Sequence, residues 1–315
     1  MEKRVIGVDI GGTTVKLGLF DATGDILEKW EIPTRKENSG EKILPDIADA
    51  IRAKLAEKGI EKEDVIGIGV GAPGPIDVDG VVHAAVNLGW GTFNINETMR
   101  SLIEIPTVSG NDANVAALGE MWKGGGKGYR DLVVVTLGTG VGGGIIVNGK
   151  MLMGCLGAAG EIGHIHIDDH ETDVCGCGNS GCLEQYASAT GITRLANRML
   201  EKTSEPSVLR DGEVSAKTVF DAVKAGDAVA IKIAEQFGDY LGKGLAAVGS
   251  VLNPKAFVIG GGVSKAGTVL LDYIEKNYRK YVFHGSREAK FVLATLGNDA
   301  GIVGAAKLAL DPKEA

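Results

Sequence analysis

The most reactive-looking stretch of this sequence lies at residues 105–114, where polar side chains follow a short β-branched run. Asn111, Asp112 and Asn114 stand at the point where that run ends and a helical pattern begins. An Asp at a helix start is usually a cap for free backbone N–H groups, and this segment alone favours that interpretation. The alternative is a carboxylate at the carboxyl end of a strand, where open α/β sheets place their ligands. A helix dipole would keep such a carboxylate ionised, so it could take a proton from a hydroxyl.

Two glycine-rich corners could bind phosphate groups. The first follows a strand at 4–8 and contains Gly11, Gly12, Thr13 and Thr14, and the second follows a strand at 131–136 and contains Gly138, Thr139, Gly140 and Gly142. The first corner is neither a P-loop nor a Rossmann fingerprint. Glycines allow phosphate oxygens to approach backbone amides, and threonine hydroxyls add donors. The same strand–corner–strand unit heads each half of the chain, which predicts a duplicated domain whose corners cradle one polyphosphate.

Asp9 stands at the end of the first strand, directly before the first corner. It could hold the water molecules of a Mg²⁺ ion, or it could be an incidental residue of a tight hairpin. The first motif by itself does not separate these two interpretations.

Three of the four cysteines fall within eight residues, and an imidazole precedes them. Cys175, Cys177 and Cys182 with His164 supply three thiolates and one nitrogen, the ligand set of a closed structural zinc site. A disulfide between Cys175 and Cys177 is geometrically poor, so zinc is favoured. His166 and His170 compete for the fourth position, because spacing does not distinguish them from His164. Cys155 stands apart, and we expect it in the core.

The elements that must position these groups alternate along the chain as in an α/β protein. Two further loops could line the same cleft, one at 71–75 and one that contains Asn87, although proline and glycine are also ordinary turn residues. A third glycine loop, Gly260 to Gly262, follows a buried strand and opens a helix. Residues 298–301 are expected to cap the last helix, which runs to about residue 310. Helical patterns cover 41–58, 187–200, 214–252 and 266–280, and further strands are predicted at 65–70, 256–259 and 291–296.

The composition suits one large or two ordinary globular domains. The chain has 315 residues, of which 44% are hydrophobic, and its net charge of −8 argues against nucleic acid and anionic membranes as partners. No apolar run approaches the roughly 18 residues of a spanning helix, and Asp9 within the first strand argues against a signal peptide. We therefore expect a soluble, cytoplasmic protein.

Taken together, these motifs resemble the ROK family of repressors, open reading frames and sugar kinases. The resemblance is carried in order over nearly the whole chain, and its most specific segment is Cys175-Gly-Cys-Gly-Asn-Ser-Gly-Cys-Leu-Glu184. The segments 87–90 and 114–123 are most similar to the bacterial glucokinases of this family. One departure is Gly110, where such glucokinases usually have Glu.

The resemblance implies an α/β protein with an actin-like ATPase (ribonuclease H-like) fold, in which two similar domains surround a central cleft. The implied small domain covers residues 1–116, with a C-terminal helix at about 299–315 packing back on it, and the large domain covers 117–298. Asp112 would be the base on the 6-hydroxyl of a sugar. Sugar hydroxyls would be bound by Asn87, Asn111, Glu161, His164 and Glu184.

The implied cofactors are ATP, Mg²⁺ near Asp9 and a structural Zn²⁺. The two corners would bind the phosphates of ATP, and the loop from Gly260 to Gly262 would lie near the adenosine. Because Glu161 and His164 are three residues apart, a local helical turn would place both side chains on one face. The resemblance also implies a homo-oligomer, either a dimer or a tetramer.

Three functions remain open at this point. The first is ATP-dependent phosphorylation of glucose, and the second is the same reaction on N-acetylmannosamine, N-acetylglucosamine or fructose. The third is a sugar-responsive repressor, which would need a basic helix-turn-helix before the kinase-like body. We expect no room for that segment, because the first strand begins at Arg4. A non-catalytic sugar sensor is less favoured, since Asp112 is present.

Overall fold

The computed structural model describes residues 2–311 of the chain. It contains twelve strands and ten helices within that range. The strands are β1 Arg4–Ile10, β2 Thr14–Asp21, β3 Ile26–Pro33, β4 Val65–Ala72, β5 Val81–Val82, β6 Phe93–Asn94, β7 Thr107–Asn111, β8 Leu132–Leu137, β9 Val141–Val147, β10 Lys150–Met151, β11 Ala256–Gly260 and β12 Lys290–Leu293. The helices are α1 Glu37–Gly40, α2 Ile43–Lys58, α3 Ile95–Ile103, α4 Asp112–Lys123, α5 Glu184–Ala187, α6 Ala189–Lys202, α7 Ala216–Lys224, α8 Ala228–Leu252, α9 Thr268–Tyr281 and α10 Ala300–Leu310.

The described residues form two compact units. The first unit contains residues 2–128, 144–160 and 296–311, and the second contains 129–143 and 161–295. The chain therefore passes between the units four times. The predicted domain boundary between residues 116 and 117 falls inside α4. The two units divide the chain after residues 128, 143, 160 and 295.

Two five-stranded sheets repeat one strand order. The first sheet has the order β3-β2-β1-β4-β7, and the second has the order β10-β9-β8-β11-β12. In the first sheet β1 is antiparallel to β2 and parallel to β4, which is parallel to β7. In the second sheet β11 is parallel to both β8 and β12. This repeat is the duplication that the two glycine corners predicted.

The core of the first unit lies on both faces of its sheet. On one face, Val8 and Ile68 pack with Ile47 and Ile51 of α2, all four fully buried. On the other face, Ile302 of α10 joins a smaller buried cluster. A sheet that is covered by helices on both faces is the arrangement expected of α/β domains.

The helix α10 lies unusually close to the sheet and to α4. A Cβ atom on Gly69 would lie 1.7 Å from the carbonyl oxygen of Ala305, and one on Gly7 would lie 2.0 Å from that of Ile302. On the other side of the helix, a Cβ atom on Gly304 would lie 1.7 Å from the carbonyl oxygen of Val115 in α4. Glycine is therefore required at these three positions, because backbone occupies the space of a side chain.

The predicted elements occur with shifted ends, and two details of the prediction differ. The long helical pattern at 214–252 forms two helices, because Gly226 has a φ of 83° and Asp227 caps α8. The predicted cap of α10 at 298–301 is wrong, since Asp299 makes no side-chain cap bond. Its carboxylate instead accepts from Lys29 Nζ at 2.8 Å, because the strand β3 brings that cation within reach. Residues 312–315 of the predicted terminal helix lie outside the described residues.

Replacing Gly69 with Ala is expected to lower the free energy of unfolding by about 3 kcal/mol or more, because a methyl group cannot share the position of the Ala305 carbonyl. Urea denaturation measures this loss. The matched control is Gly91→Ala, where a Cβ atom would meet nothing within 4 Å. Equal stability of the two variants would contradict the close contact of α10 with β4.

Candidate active site and zinc centre

In the first unit, the Asp112 segment lies at the carboxyl end of β7, as the sequence predicts. Asn111, and not Asp112, caps α4, because its Oδ1 accepts from the backbone N–H groups of Ala113 and Asn114 at 3.0 and 3.2 Å. The amide of Asn111 also donates to the carbonyl oxygen of Gly74 at 3.1 Å, which ties the loop at 71–75 to the helix start. The cap and the loop anchor are thus both provided by Asn111, and Asp112 is left for another role.

The carboxylate of Asp112 is largely removed from water. Burial raises its pKa above the ordinary 3.8, although the backbone N–H of Ala113 donates to Oδ1 at 2.8 Å and opposes the rise. The helix start does not lower this pKa below its ordinary value, because the loss of hydration outweighs the nearby donors. A raised pKa makes the ionised form a stronger base.

Asp9 lies in the same unit on β1, which β4 separates from β7. Burial raises its pKa to about 6, Lys16 lowers it, and the charge of Asp112 raises it further. Asp9 and Lys16 are direct partners across the β1–β2 pair. The first turn of α10 covers the carboxyl, since a Cβ atom on Gly301 would lie 2.4 Å from Cγ of Asp9. A buried carboxylate with a raised pKa favours a cation nearby, and its hard oxygen atoms suit Mg²⁺.

The first glycine corner is a tight and partly exposed turn between β1 and β2. Gly11 N–H donates to the carbonyl oxygen of Thr14 at 3.0 Å, and Thr34 Oγ1 donates to that of Gly11 at 2.7 Å. A Cβ atom on Gly12 would meet nothing within 4 Å, so a ligand can approach this backbone. Asn87 lies in a separate short turn, Val86–Leu88, with its side chain exposed.

In the second unit, the first residues of α6 donate hydrogen bonds to the second corner. Ala189 N–H donates to the carbonyl oxygen of Gly138 at 2.8 Å, and Thr190 Oγ1 donates to that of Thr139 at 2.7 Å. A Cβ atom on Gly140 would lie 2.5 Å from Oε2 of Glu184. Glycine at 140 thus leaves room for one of the predicted sugar-binding carboxylates beside the corner.

The zinc ligands predicted from sequence come together in this unit. The ligand atoms of His164, Cys175, Cys177 and Cys182 all lie within 4.8 Å of one another. The Sγ atoms of Cys177 and Cys182 are 3.6 Å apart, and Cys175 Sγ is 3.8 Å from Nδ1 of His164. Zn–S bonds of about 2.3 Å in a tetrahedron place sulfur atoms at about this separation, so the donor set fits Zn²⁺.

The other two histidines do not share this cluster. Both ring nitrogens of His166 have partners at 2.8 Å, the carbonyl oxygen of Ser180 and the carboxylate of Asp169. His170 lies on the exposed stretch that follows. The geometry therefore favours His164 as the fourth ligand. Cys155 is exposed, so its predicted place in the core is wrong, because the loop at 152–160 carries it to the surface.

The turn Ile162–His164 places Glu161 and His164 side by side, as the spacing predicts. Nε2 of His164 is 3.9 Å from Oε2 of Glu161, and Nδ1 is 3.9 Å from Oε1 of Glu184. Cys175 Sγ also lies 3.0 Å from that Oε1 atom. The thiol cluster, the imidazole and the two carboxylates are thus one connected group, with Nδ1 of the imidazole facing the thiols.

A buried charge cluster within the zinc loop, residues 164–182, was not predicted. Glu171 has only 2% of its side chain exposed, and it binds Arg194 at 2.8 Å, Arg198 at 3.1 Å and the hydroxyl of Tyr186 at 2.7 Å. These donors hold the pKa of Glu171 at about 2 against the effect of burial. No short sequence motif predicts this cluster, because its members come from the zinc loop, α5 and α6.

The third glycine loop borders a cavity of about 350 Å³ in the second unit. Gly261 has a φ of 82°, and a Cβ atom there would lie 2.5 Å from the carbonyl oxygen of Leu137. The cavity is lined by Gly262 and Val263 on one side and by Ala216 and Phe220 of α7 on the other. Its size and its apolar walls suit a flat heterocycle.

The family model described as ROK family matches residues 5–312. This chain belongs to the ROK family. It is 46% identical over 309 residues to a glucokinase of Halalkalibacterium halodurans, covering 96% of this chain and 94% of that protein.

Two solved structures of the family show the same fold. A ROK family glucokinase from Streptomyces griseus in complex with glucose and AMPPNP is 38% identical, with a TM-score of 0.74 over 97% of this chain and 98% of that one. A ROK hexokinase from Thermus thermophilus is 32% identical, with a TM-score of 0.80 over 97% of each chain. The protein therefore has the actin-like ATPase fold of ROK sugar kinases. None of the helices within residues 2–311 has the length and apolarity needed to cross a membrane.

The raised pKa of Asp112 predicts a stability gain from Asp112→Asn. The folded state holds this proton more tightly than the unfolded chain, so the stability contributed by the group falls as pH rises from about 3.8 through the raised pKa. The amide carries no charge, so the melting temperature of the variant should exceed that of the wild type more at about pH 7.5 than at about pH 4.5. Calorimetry at both pH values tests this. Asp49→Asn, at a side chain 74% exposed, is the control and should show little pH-dependent difference.

Metal analysis should find close to one Zn²⁺ per chain. Cys177→Ser should lose the metal and lower the melting temperature, because one of four ligands is replaced by a poor one. The sugar KM should rise about 10–100-fold, since the orientation of His164 and Glu184 depends on the ion, while the ATP KM changes little. Cys155→Ser is the matched control and should keep the metal. Active, unchelated protein without zinc, or zinc retained in His164→Ala, would contradict the ligand assignment.

Proposed function

We propose that this protein is a glucokinase that transfers the γ-phosphoryl group of ATP to the 6-hydroxyl of glucose, with Asp112 as the general base. The observation that carries the proposal is the likeness over nearly the full chain to glucokinases, one of them solved with glucose and AMPPNP. The local support is the half-buried carboxylate at the start of α4, whose raised pKa suits proton abstraction from a hydroxyl.

Phosphoryl transfer needs positioning and charge neutralisation more than covalent chemistry from the protein. In the first unit, Asp112 accepts the proton of the sugar 6-hydroxyl. The hydroxyl oxygen attacks the γ-phosphorus of ATP, and ADP leaves. Asn111 and Asn87 bind sugar hydroxyls. The NH₂ group of Asn111 has two hydrogens, of which one donates to the carbonyl oxygen of Gly74 and the other can donate to the sugar.

The second unit supplies Glu161, His164 and Glu184 as further partners of the sugar hydroxyls. A sugar needs several fixed polar partners to be distinguished from its epimers, because each unmatched hydroxyl leaves a site group unpaired. The thiol cluster and His164 would hold Zn²⁺ as a structural ion, with four protein ligands and no water nucleophile. Nδ1 of His164 faces the thiols, so Nε2 would remain for a sugar hydroxyl.

The phosphates of ATP are bound by backbone at Gly11, Gly12, Gly138, Gly140 and Gly142 and by the hydroxyls of Thr13, Thr14 and Thr139. The adenosine takes the cavity beside Gly260, Gly261 and Gly262. Asp9 would hold the water molecules of a Mg²⁺ ion, which would supply neutralisation of the phosphate charge. Lys16 opposite Asp9 adds a positive charge to the same end of the sheet. The oligomeric state, the domain boundary, the cytoplasmic location and the absence of nucleic-acid or membrane partners stay predictions from sequence.

A coupled ADP-release assay with glucose, fructose, N-acetylglucosamine and N-acetylmannosamine tests the substrate. Glucose should give the highest kcat/KM, and Asp112→Asn should lower kcat about 10²–10⁴-fold because the amide cannot accept the proton. Binding of glucose, measured by calorimetry, should be largely retained in that variant. The control Asp49→Asn should keep full activity. A higher kcat/KM for an N-acetylhexosamine or for fructose would overturn the glucose assignment, and an active Asp112→Asn variant would overturn the base.

A further inference from the structure

Asn87, a proposed sugar ligand, stands in a tight turn of the first unit, residues 85–90, which we call the Asn87 turn. Ala85 and Trp90 close this turn, since the backbone N–H of each donates to the carbonyl oxygen of the other at 3.1 and 3.2 Å. Leu88 of the turn is fully buried, whereas Asn87 is exposed. The ends of the turn are therefore fixed to one another, and the position of Asn87 depends on what holds the turn as a whole.

The side chain of Trp90 joins the Asn87 turn to another segment of the same unit. Trp90 is only 6% exposed, and its ring meets that of Phe93 edge-on, with the ring centroids 5.1 Å apart. Its Nε1–H donates to the carbonyl oxygen of Gly40 at 3.2 Å. A buried indole N–H is costly to leave without an acceptor, so this bond helps to specify where the ring lies.

Gly40, at the end of α1, completes a run of three consecutive residues in the left-handed region. Asn38, Ser39 and Gly40 have φ values of 50°, 59° and 68°. Residues with a Cβ atom disfavour this conformation, and such strain persists only where the surroundings hold it. A Cβ atom on Gly40 would lie 2.7 Å from Nε1 of Trp90, and one on Gly89 would lie 3.1 Å from Cα of Ser39. The strained run is thus in direct contact with the Asn87 turn, and glycine at position 40 leaves room for the indole.

The segment that leads into this run also supports the first glycine corner. The backbone N–H of Thr34 donates to the carbonyl oxygen of Thr13 at 2.9 Å, and its hydroxyl donates to that of Gly11 at 2.7 Å. The segment 34–40 therefore contacts the proposed phosphate corner at one end and the Asn87 turn at the other. All of these contacts lie within the first unit.

A second support of the Asn87 turn leads to the start of α4. A Cβ atom on Gly74 would lie 2.3 Å from the carbonyl oxygen of Ala84, the residue before the turn. The carbonyl oxygen of Gly74 accepts from the side-chain amide of Asn111 at 3.1 Å. The Asn87 turn is thus held between the segment 34–40 and the helix start that carries Asp112.

We propose that Trp90 is a positioning residue for the sugar, and that its bond to the carbonyl oxygen of Gly40 fixes the Asn87 turn against the segment 34–40. The kinetic part of this proposal rests on the proposed function, in which Asn87 binds a sugar hydroxyl. Trp90 acts through the backbone of the turn. Loss of the bond weakens the binding of the sugar more than that of ATP, because Thr34 supports the phosphate corner through its own two bonds.

The first test is Trp90→Phe, which keeps an aromatic ring and removes the N–H donor. The KM for glucose should rise about tenfold, which corresponds to the loss of one buried hydrogen bond, while kcat and the KM for ATP change little. The matched control is Trp30→Phe, because the buried Nε1 of Trp30 has no acceptor among residues 2–311. An unchanged KM for glucose in Trp90→Phe, or an equal rise in both variants, would overturn the proposal.

The second test keeps the proposal open to refutation if Trp90→Phe does not fold. Gly40 and Gly59 both have positive φ, 68° and 63°, so replacement by Ala strains the backbone at both positions. A Cβ atom on Gly59 would meet nothing within 4 Å, whereas one on Gly40 would press on Nε1 of Trp90. Only Gly40→Ala should therefore raise the KM for glucose, by about tenfold or more. Equal KM values in Gly40→Ala and Gly59→Ala would contradict the positioning role.

The third test does not depend on catalysis. Solvent exchange of the Trp90 indole N–H, followed by NMR, should be about tenfold or more faster in Gly40→Ala than in the wild type, and unchanged in Gly59→Ala. The same exchange rate in the wild type and Gly40→Ala would refute the bond on which the proposal depends. A wild type that phosphorylates another hexose instead of glucose would contradict the proposed function alone, and the KM comparisons would then be made with that hexose.

Discussion

The first unit depends on the direct contact of the α10 backbone with the sheet and with α4. Gly7 and Gly69 open the sheet face to the carbonyl groups of α10, and Gly119 and Gly304 allow α4 and α10 to touch backbone to backbone. Ordinary helix packing keeps axes 8–10 Å apart because side chains intervene. Because these four residues are glycines, α10, α4 and the sheet that carries Asp9 pack closely together.

This contact explains the electrostatics of the two carboxylates. The first turn of α10 covers Asp9 at Gly301, and the same packing fixes α4 so that Asp112 is buried at its first residue. Loss of hydration then raises both pKa values, and their mutual repulsion adds to that of Asp9. Raised pKa values at these two positions lower the stability at neutral pH, as is common at functional sites, and they agree with the proposed roles of the two carboxylates.

In the second unit, the proposed sugar-binding residues Glu161 and His164 stand at the start of an irregular loop. Two groups of contacts anchor that loop. Thiols and an imidazole form one group, and in the other Glu171 binds two arginines and a tyrosine hydroxyl. The side chain of Glu184 lies between the thiols and the second glycine corner. The buried ion cluster, together with a metal ion at the thiols if one is bound there, would give this loop the support that helices give elsewhere.

The sequence by itself determined the chemistry and much of the architecture of this protein. Asp112 after a strand, the paired glycine corners and the Cys175–Cys182 spacing are local patterns, so the strands, the duplication and the His164–thiol cluster could be predicted from them. The alternation of strands and amphipathic helices is likewise local, because burial of one face dictates its period.

Only the tertiary structure decided the properties that depend on residues distant in the chain. That Asn111 takes the cap, that burial raises the pKa of Asp112, and that Asp299 binds Lys29 all follow from neighbours brought near by folding. Glu171 and Glu120 look like ordinary charged residues in sequence, yet both are buried and bonded to distant segments. The physical reason is that hydration and hydrogen bonding are set by the assembled surroundings of a group, which no short stretch of sequence contains.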